Sequence, residues 1–329
     1  MLLETTTNRV AYDGLITLLR SGSLLAFAGA GVPAALRYPT WPVLIKLLAE
    51  KTRKDCGEKI QDPYQRELTV TQVEGIEKLL TQAEIFKFNL KERYFEFMQQ
   101  TFGERHEQIP SIQDLIDLPF RHFLTSNYDP ALELAHNRAT KTHHIVHSLL
   151  DVEGGQFLLK LSEGGYERRI VHVHGWYDRP RTIILTEADY GDLYDNNQKV
   201  RTFWDVIAVR EQCVFFGFSF SDEDIMEGFN LRNFNRVRRQ IEGVRHYALI
   251  ALDDADKEPG ERVNLNLRYG VEPIFYKVID KAYSGYSNVL RMMVRDAKPI
   301  IRESIRRDVE LLQRMTDANI KKRSTGDLS

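Results

Sequence analysis

Four short stretches hold the residues whose types and spacing could do chemistry: Gly29-Ala30-Gly31, Thr125-Ser126-Asn127-Tyr128-Asp129, His172-Val173-His174-Gly175 and Gly217-Phe218-Ser219. Gly29 and Gly31 remove side chains where a backbone must approach a pyrophosphate, and a helix behind such a turn offers free N–H groups. The same spacing also occurs where a turn only solves a packing problem. No Lys-Ser or Lys-Thr pair follows, so the turn is not an ordinary P-loop. Asp129 and Pro130 read equally well as an Asx cap and the first residue of a helix. That account leaves Asn127 unexplained, and a neutral amide there can orient water or a hydroxyl. In a strand, residues 172 and 174 point to one side, and Gly175 leaves the second imidazole open at the strand end. With an ordinary pKa near 6.5, His174 can accept a proton at neutral pH.

The elements that must position these turns follow from periodicity. Val10 to Leu19 has helical spacing. Leu24 to Ala28 is a wholly apolar run of the kind buried on both faces of a parallel sheet, and helical spacing resumes from Trp41 to Leu48. Between Glu50 and Pro110 no strand is evident, and Val73, Ile76, Leu79, Leu80 and Ile85 suit a helical insertion. Phe120–Thr125, Arg169–His174, Cys213–Phe216, His246–Leu252 and Ile274–Val278 read as strands, with weaker candidates at Gln156–Leu161 and Arg181–Leu185. Helices are expected from Ala131, over Tyr190–Arg210, near Ser221-Asp222-Glu223 and from Ile300. Alternating strands and helices predict an α/β fold: a Rossmann-like, mainly parallel sheet with helices on both faces, plus a helical insertion and a C-terminal helix. In such sheets ligands bind beyond the carboxyl ends of the strands, where the four stretches lie.

Bulk properties narrow the function classes. The 329 residues carry 45 basic and 47 acidic side chains, a net charge of −2 that argues against a body-wide nucleic-acid footprint. Two cysteines, Cys56 and Cys213, are too few for a four-cysteine zinc module and form no disulfide framework. The most apolar stretch, Leu24 to Leu36, is broken by glycines and Pro33, and the N-terminus lacks a signal design. The expectation is a soluble cytoplasmic protein without membrane contact. His143, His144 and His147 suit one polar helical face better than a metal site, and Arg232, Arg236, Arg238, Arg239 and Arg245 read as a solvated helix face, with contact to a partner subunit or nucleic acid as the alternative. Trp176-Tyr177 is a packing pair or a cover for a ligand.

The order of the four stretches, from about residue 24 to 220, resembles the sirtuin superfamily, and in particular the SIR2-like NAD hydrolases of bacterial antiphage defence. The resemblance implies NAD as the substrate. Gly29, Ala30 and Gly31 would cradle its pyrophosphate, and Asn127 would sit against the nicotinamide ribose and the attacking nucleophile. Asp129 would hold the carboxamide and His174 would be the general base. Ser219, beside Gly217, would contact phosphate or the adenosine ribose. Two departures set the chain apart from the protein deacylases of that superfamily. The zinc module is missing, so no zinc is expected, and Pro33 with Tyr38-Pro39-Thr40-Trp41 replaces the deacylase loop.

The resemblance further implies an NAD glycohydrolase releasing nicotinamide and ADP-ribose, gated by homo-oligomerisation or by a partner such as a HerA-like ring ATPase. The competing readings are a protein deacylase or ADP-ribosyltransferase, and a non-catalytic module sensing NAD or ADP-ribose. The expected division is a catalytic domain over 1–50 and 111–299, a helical insertion over 51–110, and an amphipathic helix and tail over 300–329.

Overall fold

The computed structural model describes residues 2–55, 60–140, 146–148, 168–218, 220, 246–280 and 284–297. Its centre is a sheet of seven strands, every pairing parallel: β1 Leu25–Ala28, β2 His122–Thr125, β3 Val146–Ser148, β4 Ile170–His172, β5 Cys213–Phe216, β6 His246–Ala251 and β7 Val271–Tyr276. The spatial order is β3-β4-β2-β1-β5-β6-β7. The chain goes from β1 to β2 and out to β3 at the edge, steps back to place β4 between them, and then crosses to the other side of β1 with β5. β1 is thus the point where the winding reverses, which in a Rossmann-like sheet is where the ligand crevice opens.

Strand side chains alternate between two apolar layers, as a period of two requires. Ala26, Ala28, Phe123, Val214, Phe216 and Ile274 join one layer, and Leu25, Phe27, Leu124, Val171, Phe215 and Phe275 the other. Helix α1 (Thr6–Leu19) covers the first layer through Tyr12, Leu15 and Leu19. So do α2 (Trp41–Lys54), α6 (Pro110–Asp117), α7 (Ala131–Thr140) and the helix at 284–297. Two helices numbered in chain order, α9 (Gln198–Arg210) and α10 (Glu258–Tyr269), cover the second, with Phe203, Ile207 and Leu265 buried there. Helices therefore lie on both faces, as the alternating pattern predicts.

Helices α3 (Pro63–Glu74), α4 (Leu79–Leu90) and α5 (Glu92–Thr101) lie between α2 and α6 in the segment that joins β1 to β2. Val70, Val73, Ala83, Phe86, Tyr94 and Met98 belong to the same apolar cluster as Leu44, Leu48 and the sheet, so these helices extend the main core. Among the described residues, no helix is long and apolar enough to cross a membrane.

Several local expectations change. Arg181–Leu185 is no strand: Pro180–Thr182 is one 3-10 turn, and Ile184 N–H is spent on the His174 carbonyl at 2.9 Å. Tyr190–Arg210 is no continuous helix, because α8 (Glu187–Tyr190) passes into a π-turn at Gly191–Asp195 before α9 begins. His147 lies on strand β3, which contradicts the helical face drawn through it. The expected elements at Gln156–Leu161, Ser221-Asp222-Glu223 and from Ile300, like Cys56, His143, His144 and the arginines of 232–245, lie outside the described residues.

Candidate active site

The carboxyl ends of β1, β2, β4 and β5 are in register, Ala28 opposite both Thr125 and Phe216, and Thr125 opposite His172. Their following loops therefore leave the sheet at one level and meet.

The turn after β1 is locked to the loop after β5. Gly29 N–H donates to the Phe216 carbonyl at 2.8 Å, and Gly31 N–H to the Gly217 carbonyl at 3.0 Å. A Cβ on Gly29 would meet Gly217 O and the Phe218 ring at 2.9 Å, and one on Gly31 would meet Gly217 Cα at 2.8 Å. Gly217 itself has φ +69° and faces the Val32 amide. The glycines therefore first serve to let two strand ends touch. No α-helix starts directly behind Gly31, contrary to the free N–H groups expected there. A 3-10 turn, Ala34–Leu36, comes first, and α2 begins only at Trp41. Ala30 and Gly31 form the exposed crest of the turn, while Gly29 is buried. Ser219 lies outside the described residues.

Asn127 is tied into this junction. Its Nδ2 donates to the Gly29 carbonyl at 2.9 Å, its backbone N–H donates to Thr125 Oγ1 at 3.1 Å, and Thr125 Oγ1 donates to the Ala28 carbonyl at 2.9 Å. Two residues on, the Asp129 carboxylate caps α7, accepting the Ala131 N–H at 3.1 Å. Asp129 is buried, and burial pushes its carboxyl up to about 7. Tyr128 points away and anchors the loop, its hydroxyl donating to the Ile184 carbonyl at 2.7 Å.

The two histidines of His172-Val173-His174 do not share a side. β4 ends at His172, the chain turns, and the imidazoles diverge. His172 lies beneath the Asn127 loop, with Nδ1 2.6 Å from the Asn127 carbonyl and Nε2 2.6 Å from Glu133 Oε1. Burial opposes its charge most strongly of any one influence, but Glu133, the Asn127 carbonyl and Asp129 together outweigh it and the net shift is upward. His174 is also buried rather than open at the strand end. Its Nε2 lies 2.7 Å from the Tyr194 hydroxyl, and the Tyr190 and Tyr194 rings stand edge-on to it at centroid distances of 5.3 and 6.0 Å. Burial lowers its pKa to about 3, so the imidazole is neutral throughout the physiological range.

Tyr190 and Tyr194 were not among the sequence candidates. Their four-residue spacing on a helical stretch was the available signal, but the π-turn that aims both at His174 has no simple sequence signature. This aromatic cover is held from the far side by the inserted helices: Lys87 Nζ pairs with Asp189 at 2.6 Å, and Thr81 Oγ1 donates to Glu187 at 3.1 Å. Among the described residues no cluster of three or more His, Cys, Asp or Glu has the arrangement of a metal site.

Chemically, the junction presents an exposed small-residue turn, a fixed carboxamide and a neutral imidazole beyond the carboxyl ends of interior strands. Comparison with known proteins places part of the chain among relatives. Residues 121–274 match the family described as "SIR2-like domain". The NAD(+) hydrolase ThsA of Cytobacillus dafuensis is 23% identical over 221 residues, covering 67% of this chain and 40% of that protein. The NAD(+) hydrolase ThsA of Acinetobacter baumannii is 22% identical, covering 66% and 40%. Defense-associated sirtuin 2 of Bacillus subtilis is 24% identical, covering 63% of this chain and 19% of that protein. The chain thus spans about two-fifths or less of the length of these curated relatives.

Proposed function

From a chain that carries a SIR2-like domain, we infer an NAD glycohydrolase that splits the nicotinamide–ribose bond and depletes NAD in antiphage, abortive-infection defence. The observation that carries this reading is the fixed Asn127 amide. With Nδ2 committed to Gly29, its Oδ1 accepts no hydrogen bond among the described residues and is free to accept one from a ribose hydroxyl or a water. Nicotinamide leaves readily because departure neutralises its pyridinium, so the barrier lies in an oxocarbenium-like ribosyl transition state. A neutral oxygen acceptor stabilises that state by orienting a hydroxyl, and positioning does much of the remaining work.

In this reading Gly29, Ala30 and Gly31 line the pyrophosphate with Gly217 and Ser219, and Asp129 meets the nicotinamide carboxamide. His174, neutral and ready to accept a proton, serves as general base. The tyrosine cover over His174 supports gating. Substrate reaches the imidazole only when α8 and the π-turn shift, and the insertion that grips α8 is a surface on which oligomerisation or a ring ATPase partner would act. The test is incubation of the purified protein with NAD and chromatographic separation of nicotinamide and ADP-ribose. Asn127→Ala and His174→Ala are expected to abolish product while leaving the circular dichroism spectrum unchanged. Full turnover by both variants would sink the assignment.

A further inference from the structure

We propose that Glu133 and His172 form a positioning pair that fixes the Asn127 carboxamide for catalysis; the proposal rests on the hydrolase reading above. Neither residue was a sequence candidate for this task. His172 has a fully buried side chain, and both ring nitrogens are spent within the protein, so it has no surface with which to touch a ligand. A carbonyl can only accept, so Nδ1, facing Asn127 O, carries a proton, and a second proton lies between Nε2 and Glu133 Oε1. The imidazole thus joins a side chain on α7 to the backbone of the catalytic loop.

The effect on Asn127 is specific. Its N–H is held by Thr125 Oγ1, its carbonyl by His172 and its Nδ2 by Gly29, at 3.1, 2.6 and 2.9 Å. Every polar atom of the residue is tethered except Oδ1. Of these tethers, the grip on the carbonyl comes from β4, so the turn after β1 and the strands β2 and β4 are each bound to this one residue. A buried ionisable pair is costly unless its geometry is satisfied, and an apolar pair would fill the same space without the cost. Here one oxygen of the pair, Glu133 Oε2, is even left buried without a hydrogen-bond partner. What the pair supplies that an apolar one would not is a donor aimed at the Asn127 carbonyl.

The experiment compares Glu133→Ala, Glu133→Gln and His172→Phe in the same NAD assay, with Asn127→Ala as reference. Glu133→Ala and His172→Phe are expected to lower kcat about 100-fold, with KM for NAD changed by no more than about twofold. Glu133→Gln should stay within about threefold of the parent, because a glutamine amide can donate to a neutral Nε2 while Nδ1–H keeps the Asn127 carbonyl. Parental kcat in both disruptive variants overturns the proposal, and so does a loss in Glu133→Gln equal to that in Glu133→Ala. If Glu133→Ala does not fold, His172→Phe and the Glu133→Gln rescue still decide the matter. No release of nicotinamide by the parent would instead overturn the hydrolase reading itself, and parental turnover by Asn127→Ala would overturn the role of Asn127 and the proposal with it. Inactivity of Asn127→Ala with parental kcat in the pair variants removes only the positioning role.

Discussion

The imidazole of His174 is hydrogen-bonded through Nε2 to the hydroxyl of Tyr194 at 2.7 Å, beneath a stacked Tyr190–Tyr194 pair whose centroids are 5.9 Å apart. The base proposed for the reaction is therefore sealed by aromatic rings, and burial alone accounts for its depressed pKa.

Removing the seal should restore an ordinary histidine. In Tyr194→Ala the His174 pKa is expected to rise from about 3 toward 6.5, read from its imidazole resonances in an NMR titration. A base works only when unprotonated, so the variant should lose activity as pH falls through that raised pKa, while the parent shows no such limb from His174. An unmoved resonance would show that the tyrosines do not control the environment of His174.

Asp129 gives a pH dependence of the opposite kind. Burial raises its carboxyl from 3.8 to about 7, so the folded chain binds that proton more tightly than the unfolded chain. Stability from this group is fully present below about pH 4 and is lost as pH rises through 7. Asparagine keeps the cap on Ala131 without titrating. The stability of Asp129→Asn relative to the parent should therefore climb between pH 4 and 7 and level off above, in urea midpoints taken across that range. A flat difference would mean that Asp129 is ionised in the folded protein throughout.

The grip of the insertion on the cover is testable through Lys87, whose ammonium and the Asp189 carboxylate are both mostly buried. Lys87→Ala should cost on the order of 1–2 kcal/mol and speed amide exchange over residues 186–195. If the cover gates the site, the same variant should raise NAD turnover in the absence of any partner. Faster exchange with unchanged turnover would separate the cover from gating.

Gly217 tests the junction of the two strand ends. With φ +69° and the Val32 amide 2.5 Å from where a Cβ would sit, Gly217→Ala should destabilise the protein by roughly 2–4 kcal/mol. Chemical denaturation measures this directly, and a loss below about 1 kcal/mol would show that the turn can shift to admit a side chain.

The sheet was largely legible in the sequence where burial is two-sided. Leu24–Ala28 and Cys213–Phe216 are apolar without alternation because helices cover both faces, and both are strands. β3 escaped because three residues at a sheet edge carry little pattern and stand beside histidines. Arg181–Leu185 has strand-like composition, yet its conformation is set by local bonds such as Thr182 to Arg179. At the site, Asn127, Asp129 and Gly217 stood out by residue type, and Asn127 and Gly217 are both tied to the Gly29–Gly31 turn beyond the carboxyl ends of interior strands. His172 looked like a companion of His174 only under the assumption of a continuing strand. Glu133, Tyr190 and Tyr194 act through packing between distant segments, which no local pattern encodes.

β1 and β2 are direct neighbours, although α2 to α6 lie between them in the chain. The excursion begins and ends within one inter-strand spacing, about 5 Å, and closing so long a loop costs little more than closing a shorter one. Chain closure therefore tolerates the long excursion between Ala28 and His122, and what constrains its content is packing: Leu48, Val70, Phe86 and Leu115 join the buried layer of Ala26 and Phe123, so the excursion is a part of the floor beneath the strand ends.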